Sequence, residues 1–292
     1  MIETKRKPQG GRAEWLLLLI ALFVSALPLR AWSAEQKQAM GKLPHVAGIK
    51  GADDRLTLDV TRYPWTRVGR LNHNGNFCTG ILVAPSLIVT AAHCFWDVRR
   101  RKWAPPSVFH FLLGYNKGAY QAHSRLKSYI LSSGTKPAPG DVRPPAERDW
   151  AIAVLTAPLG EKAGFLPLVS YHDVDFRTHR YRPDGVRVSF AQGGYSRDIS
   201  HVLTGDRACD IKGIMRSRDG KGRLLVHMCD ATRGDSGSPI LLREGNSYRL
   251  LAIHVATLHQ PGGEEYGLAV PADAFRTRLR ELEARMGGSN GK

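Results

Sequence analysis

One serine of this chain stands in a setting that can make it a nucleophile. Ser236 lies between Gly234 and Gly237 in a short polar stretch that separates two extended apolar runs. Glycines adopt backbone angles that a β-carbon resists, so such a turn can lift a hydroxyl from the surface. It can also direct the amides of Gly234 and Ser236 at one point, where they would stabilise an oxyanion. The alternative interpretation is an ordinary surface turn of Gly, Ser and Asp.

A histidine and an aspartate elsewhere in the chain could complete the chemistry, because a serine hydroxyl alone is a poor nucleophile and needs a base. His93 follows an apolar run in Thr90-Ala91-Ala92-His93-Cys94. Asp149 opens the apolar stretch 149–155, where it would be poorly hydrated and would need a donor such as the His93 imidazole. The simpler alternatives are a structural histidine and a cap at a strand end. The order His, Asp, Ser is that of one known catalytic triad.

These motifs resemble those of the trypsin-like, chymotrypsin-fold serine endopeptidases, especially the bacterial secreted branch that includes the glutamyl endopeptidases. TAAHC, DWAIAVL and GDSGSP carry the resemblance, which spans about residues 49–286. It implies that Ser236 is the nucleophile, His93 the general base and then acid, and Asp149 the group that holds the His93 tautomer. The amides of Gly234 and Ser236 would form the oxyanion hole. The implied mechanism needs no metal and no organic cofactor.

Two positions give conflicting predictions for the residue that precedes the cleaved bond. Asp230 lies six residues before Ser236, which is the spacing of the acid in the trypsin pocket and implies cleavage after Arg or Lys. Thr232, however, replaces a cysteine of the trypsins, and His254 stands where the glutamyl endopeptidases place a histidine that helps to receive an acidic side chain. We predict cleavage after Arg or Lys. The alternatives are a Glu/Asp-preferring endopeptidase and a non-catalytic homologue that binds proteins through the same cleft.

The resemblance also implies a zymogen that is activated by cleavage. In trypsin-like enzymes a new amino terminus folds inward and pairs with the aspartate before the nucleophile, which here is Asp235. A buried unpaired carboxylate is unfavourable and needs a cation. A chain that begins at Ile49 would supply its terminal ammonium. The alternative is that Asp235 bonds only to backbone amides of its own turn.

The chain has four cysteines, and none of them forms a CxxC pair, so a zinc site is not expected. An even number behind an export signal suggests two disulfides. A bridge between Cys78 and Cys94 would close a hairpin-like loop and hold the turn that carries His93. Loop closure of that size stabilises a fold by about 3 kcal/mol. Cys209 and Cys229 would then pair by elimination.

The first residues are typical of an export signal. Residues 1–34 combine a basic start, an apolar run and small residues at the spacing that a signal peptidase needs. The alternative is an uncleaved anchor, but the apolar run of about 15 residues is short for a span of about 20, and Pro28 interrupts it. We expect a bacterial periplasmic or secreted protein.

The rest of the chain is predicted to be all-β. Short β-prone segments separated by Gly, Pro and Asn indicate a barrel or sandwich, and the resemblance implies two packed antiparallel Greek-key β-barrels with a C-terminal α-helix. Phe275, Leu279, Leu282 and Met286 fall at helical spacing, and Gly287-Gly288 is expected to end the helix. The predicted divisions are a signal peptide at 1–34, a spacer or propeptide at 35–48, an N-terminal barrel at 49–170, a C-terminal barrel with the helix at 171–288 and a tail at 289–292.

The formal net charge of +16 would attract acidic substrates, nucleic acid or anionic membranes. Aromatic residues are not interleaved with the basic ones as a stacking surface requires, so no specific nucleic-acid binding is expected. The basic run 99–102, which follows the histidine, could select acidic partners or could simply be a solvated loop. We expect a monomer that acts on a protein or peptide and has no stable membrane span after signal cleavage.

Overall fold

The computed structural model describes residues 46–138, 143–217 and 220–289. The predicted signal peptide, most of the predicted spacer and residues 290–292 of the predicted tail lie outside this range. No helix within the described residues is both long and apolar enough to cross a membrane.

The described residues are mostly β-strands. In chain order, strands β1 to β18 occupy Leu56–Thr57, Val68–His73, Asn76–Ala84, Leu87–Thr90, Trp96–Asp97, Lys102–Trp103, His110–Leu113, Ala122–Leu131, Ala151–Leu155, Val174–Asp175, Arg180–Tyr181, Ser189–Gly194, Thr204–Cys209, Ile211–Arg216, Arg223–His227, Pro239–Glu244, Ser247–His259 and Glu265–Pro271. The α-helices are α1 at Leu159–Ala163 and α2 at Asp273–Ser289. The predicted all-β fold with a C-terminal helix is confirmed.

The first half forms a closed barrel in the order β2-β3-β4-β9-β8-β7. Its antiparallel strands direct large apolar side chains inward, among them the fully buried Leu71, Ile81, Ile88 and Phe111. Strand β4 ends where β9 begins, since Thr90 lies opposite Ala151 in the ladder. His93 follows the first of these strands and Asp149 precedes the second. Two adjacent strand ends therefore bring the predicted base and the predicted acid to the same rim.

Seven strands of the second half, together with β1 from before the first barrel, form an eight-stranded antiparallel sheet in the order β1-β13-β12-β16-β17-β18-β15-β14. Strands β13 and β14 lie near its opposite edges, although only Asp210 separates them in the chain. The sheet must therefore curl until its two edges approach each other. This is the barrel-like shape expected from the sequence, but no ladder of hydrogen bonds closes the strands into a ring as in the first half.

Covalent links and the last helix complete the fold. Disulfides join Cys78 to Cys94 and Cys209 to Cys229, which confirms both predicted pairs. On α2 the predicted apolar stripe faces inward, with Phe275 fully buried. The helix was predicted to end at Gly287-Gly288. That end is slightly wrong, because the helix continues to Ser289. Glycine weakens a helix without excluding it.

Candidate active site

The structure brings His93, Asp149 and Ser236 into one hydrogen-bonded chain. Nε2 of His93 lies 2.8 Å from Oγ of Ser236. Nδ1 of the same ring lies 2.6 Å from Oδ2 of Asp149. The second carboxylate oxygen of Asp149 accepts the backbone amide of His93 at 2.8 Å. Asp149 is only 2% exposed, so its negative charge acts on the imidazole with little screening by water.

Both halves of the fold hold the turn that carries Ser236. The amide of Thr79 on β3 donates to the carbonyl oxygen of Ser236 at 2.9 Å. On the other side, the amide of Gly237 donates to the carbonyl of His254 on β17 at 2.7 Å. The backbone of Ser236 is thus fixed between a strand of the barrel and a strand of the second sheet.

The two glycines of this turn are required by their surroundings. Gly234 has φ +95°, and a Cβ there would lie 2.4 Å from the carbonyl oxygen of Tyr195. Gly237 has φ +82°, and its Cβ would lie 2.3 Å from the carbonyl oxygen of Thr79. Within the described residues, the amides of Gly234 and Ser236 donate to no backbone or side-chain acceptor. They are available for an anion beside the serine hydroxyl.

The disulfide between Cys78 and Cys94 includes the residue that directly follows His93 in the chain. The two sulfurs and a ring nitrogen of His93 fall within 4.8 Å of one another, a grouping that would otherwise suit a metal ion. Here the sulfurs are bonded to each other, so they are not thiolate ligands. The cluster is a covalent brace for the His93 turn.

Asp235 points into the protein and is held locally. Its Oδ2 accepts the hydroxyl of Ser196 at 2.7 Å and the amide of Thr232 at 2.8 Å, and Gln192 donates to Oδ1 at 3.4 Å. Complete burial raises the pKa of Asp235 to about 6. The sequence analysis anticipated hydrogen bonds to Asp235 from its own turn but missed those from Ser196 and Gln192. Their only signal in the sequence is that they are polar residues in a largely apolar, strand-forming region.

The predicted pair between Ile49 and Asp235 is not formed in this uncleaved chain. The amide of Ile49 instead donates to the carbonyl oxygen of Val46 at 3.1 Å, and its side chain is buried. The activation step that would create the pair requires a free amino group at Ile49, which an intact peptide bond does not offer.

Asp230 contacts the segment that precedes the first barrel in the chain. Its Oδ1 accepts the amide of Lys50 at 2.7 Å, and burial raises its pKa to about 6. The ammonium of Lys50 donates to the carbonyl oxygens of Cys229 and Gly48 at 2.6 and 2.8 Å. Lys50 was not predicted as a site residue, since nothing in its local sequence indicates so distant a contact.

His254 is buried close to the triad and is paired with a second histidine. Its Nδ1 lies 3.0 Å from Nε2 of His227 on β15. Burial holds the pKa of both imidazoles well below the ordinary value, and the positive charges of Lys50 and nearby Arg143 lower that of His254 further. Arg143 donates from Nη1 to the carbonyl oxygen of Val255 at 3.2 Å. His227 and Arg143 were not anticipated from the sequence.

Known proteins share this fold. The chain is similar to the glutamyl endopeptidase of Bacillus licheniformis, with 25% identity over 134 residues that cover 44% of this chain and 40% of that protein. The match thus spans less than half the length of that curated relative. A solved Glu endopeptidase in complex with MPD superposes with a TM-score of 0.62 at 18% identity, over 81% of this chain and 99% of the other. Protease Anisep from Arthrobacter nicotinovorans gives 0.50 at 16% identity, over 74% and 93%.

The sequence also matches a whole family. The profile of the family described as Trypsin aligns with residues 58–279, which is well over half of the chain. The aligned range contains both halves of the fold, the three hydrogen-bonded residues and the serine turn. The chain therefore belongs to the trypsin family, and its fold is that of a trypsin-like serine protease related to the glutamyl endopeptidases.

Proposed function

We propose that this protein is an exported serine endopeptidase that cleaves peptide bonds with His93, Asp149 and Ser236. One observation carries the proposal: the imidazole of His93 lies 2.8 Å from the serine Oγ on one side and 2.6 Å from the Asp149 carboxylate on the other. A base within hydrogen-bond reach of the nucleophile and oriented by a buried acid is the arrangement that acyl transfer requires. Two disulfides support export, because they persist in oxidising compartments such as the periplasm or the medium.

The mechanism follows from these positions. Oγ of Ser236 attacks the peptide carbonyl carbon while its proton passes to Nε2 of His93, and Asp149 stabilises the resulting imidazolium. The carbonyl oxygen becomes negative and is bound by the amides of Gly234 and Ser236. The proton then moves from Nε2 to the leaving nitrogen, the carbon–nitrogen bond breaks and an acyl-enzyme remains. Water, deprotonated by His93, hydrolyses the ester and frees the serine.

The surroundings of His254 favour a Glu or Asp before the cleaved bond over Arg or Lys. His227 engages Nδ1 of His254, and among the described residues nothing engages its Nε2. Lys50 and Arg143 add positive charge nearby, which would attract a carboxylate and repel a basic side chain. Asp230, on which the Arg/Lys prediction depends, is already bonded to the amide of Lys50. The similarity to glutamyl endopeptidases agrees with this preference.

A peptide library tests both parts of the proposal. The full chain and the form that begins at Ile49 are incubated with mixed peptides, beside their Ser236→Ala variants, and the cuts are mapped by mass spectrometry. Cuts that vanish in the variants support the enzyme, and Glu or Asp before them supports the His254 pocket. Arg or Lys before the cuts would support Asp230 instead. If neither form cleaves and a phosphonate probe does not label Ser236, the protein is not an endopeptidase and a binding role takes precedence.

A further inference from the structure

The loop that follows β12 holds the turn that carries Ser236. The amide of Arg197 in this loop donates to the carbonyl oxygen of Arg233 at 2.6 Å. The next residue, Asp198, accepts the hydroxyl of Thr232 at Oδ1, and this hydrogen bond is 2.7 Å long. Thr232 is buried, so water competes little for its hydroxyl. The position of the turn therefore depends on where Asp198 is held.

Asp198 is held by Arg55, which lies just before the first barrel in the chain. Nη2 of Arg55 donates to Oδ2 of Asp198 at 2.5 Å, and Nη1 donates to Oδ1 at 3.3 Å. The same guanidinium donates to the carboxylate of Asp53 from Nε at 2.9 Å and from Nη2 at 2.8 Å. The side chain of Arg55 is only 1% exposed. A guanidinium that bonds two carboxylates through several donors fixes their geometry as well as their charge.

Hydrogen bonds connect Arg55 to the residue that precedes the serine. Arg55 bonds to Asp198, and Asp198 accepts the hydroxyl of Thr232. The amide of Thr232 then donates to Oδ2 of Asp235 at 2.8 Å. Burial raises the pKa of Asp235, and the positive charge of Arg55 opposes that rise. Arg55 therefore acts on the serine turn both through hydrogen bonds and through its charge.

This internal cation differs from the one that the resemblance implies. There, the ammonium of a new amino terminus at Ile49 would order the turn by pairing with Asp235. In the structure the peptide bond before Ile49 is intact, and Nε2 of His93 nevertheless lies 2.8 Å from Oγ of Ser236. The contacts of Arg55 involve only side chains of the intact chain, so they need no cleavage to form.

We propose that Arg55 is a positioning residue that acts through Asp198 and Thr232. It holds the turn of Ser236 in its reactive arrangement, and it does so while the peptide bond before Ile49 is intact. The inference rests on the proposed function. Without Arg55, the partly buried carboxylate of Asp198 would turn to water and release the hydroxyl of Thr232. The turn could then move, and a displacement of about 1 Å at a reacting group can lower the rate about 100-fold.

Mass spectrometry tests whether the intact chain is reactive. The purified full chain is treated with a fluorophosphonate, which bonds covalently to a reactive serine, and the intact masses of the labelled chains are measured. We expect labelled chains that still contain the bond between Gly48 and Ile49. Labelling confined to chains that begin at Ile49 would overturn the inference and leave the endopeptidase proposal standing. If Ser236 is labelled in neither form, the endopeptidase proposal itself fails.

The variant Arg55→Gln tests the positioning role. Labelling to completion counts the reactive sites, and kcat for a peptide is then expressed per site. We expect kcat per site to fall about 10- to 100-fold while KM changes less than about threefold. A purely structural role would reduce the number of sites and leave kcat per site unchanged, which would overturn the inference. Arg62→Gln is the matched control and should keep kcat, because it removes only a solvent-exposed pair with Asp59.

Substitutions at Thr232 test the same connection from its other end, even if Arg55→Gln does not fold. Thr232→Val keeps the shape of the side chain but removes the hydroxyl that bonds Asp198, and it should lower kcat per site about tenfold. Thr232→Ser retains a hydroxyl and should restore most of that loss. Adding Thr232→Val to Arg55→Gln should cost little more than Arg55→Gln alone, because both act through Asp198. Equal kcat for the Val and Ser variants, or fully additive losses, would overturn the inference.

Discussion

Asp149 holds His93 at two points. One carboxylate oxygen lies 2.6 Å from the ring Nδ1, and the other accepts the backbone amide at 2.8 Å. The side chain and the main chain of the histidine are thus fixed by a single buried acid. The ring cannot rotate away from Ser236 without losing a bond to a group that water does not reach.

Replacing this acid by its amide should remove activity while keeping the fold. In Asp149→Asn the amide group presents a donor where the ring or backbone needs an acceptor, so His93 takes the wrong tautomer. We expect kcat to fall about 10⁴-fold, the magnitude known for this substitution in a related triad. Steady-state kinetics and circular dichroism measure the two effects. Asp184→Asn, at an exposed acid, is the control; a loss in Asp149→Asn of under tenfold would contradict a triad.

The turn that carries Ser236 should not tolerate a methyl group at Gly234. Gly234→Ala must shift the turn, because its Cβ would meet the Tyr195 carbonyl oxygen at 2.4 Å and φ is +95°. We expect kcat to fall by at least the 100- to 1,000-fold typical for loss of one oxyanion donor. Gly245→Ala is the matched control, with φ +57° but nothing within 4 Å of the added atom. Equal kcat in both variants would show that the amide of Gly234 does not contribute.

Buried Asp235 should make stability depend on pH. Its folded pKa of about 6 lies above the ordinary value, so the folded chain binds the proton more tightly than the unfolded chain does. The stabilisation from this proton is present below about pH 4 and is lost as the pH rises through 6. Between pH 4 and 7 we expect the free energy of unfolding to fall by about 2–3 kcal/mol relative to Asp235→Asn.

Urea unfolding in a Ser236→Ala background measures this difference without self-digestion. Other carboxylates titrate oppositely, among them Asp53, whose pKa is lowered by its hydrogen bond to Arg55. The comparison with Asp235→Asn cancels their contributions. A pH-independent difference between the two proteins would show that Asp235 is ionised throughout.

The two disulfides should differ in their effect on activity. Removing either by a double Cys→Ala change should lower the free energy of unfolding by about 3 kcal/mol. Only the bond between Cys78 and Cys94 braces the His93 turn, so its loss should also lower kcat at a temperature where both variants remain folded. Thermal melts and kinetics on matched samples decide this, and equal kcat values for the two variants would refute the bracing role.

The substrate pocket can be assigned by two substitutions. His254→Ala should reduce kcat/KM for a peptide with Glu before the cleaved bond by about tenfold or more, since a hydrogen bond to a charged group is lost. Asp230→Asn should leave it within about threefold, an effect under 1 kcal/mol. If the Asp230 variant loses activity instead, and a peptide with Arg before the cleaved bond is the better substrate, Asp230 would be the residue that binds that side chain.

Local motifs made the hydrogen-bonded grouping of three residues and the disulfide pairs predictable. His93, Asp149 and Ser236 each stand in a short stretch whose neighbours carry the information, and the chain order completes it. Lys50, His227 and Gln192 were missed because each acts on a residue that is distant in sequence, as in the contact of Lys50 with Asp230 across 180 positions. The absence of a closing ladder in the barrel-like second sheet could not be predicted for the same reason. Strand-forming tendency is local, but ladder closure depends on how far apart the edges β1 and β14 finally lie.

The hydrogen bond from Thr79 to Ser236 makes the position of the serine depend on both halves of the molecule. Neither half, folded alone, would present a competent hydroxyl, because the serine turn is anchored to a barrel strand on one side and to His254 on the other. A newly made chain is therefore inert until its halves dock. A condition that separated the two halves would therefore remove activity even if the strands of each half remained formed.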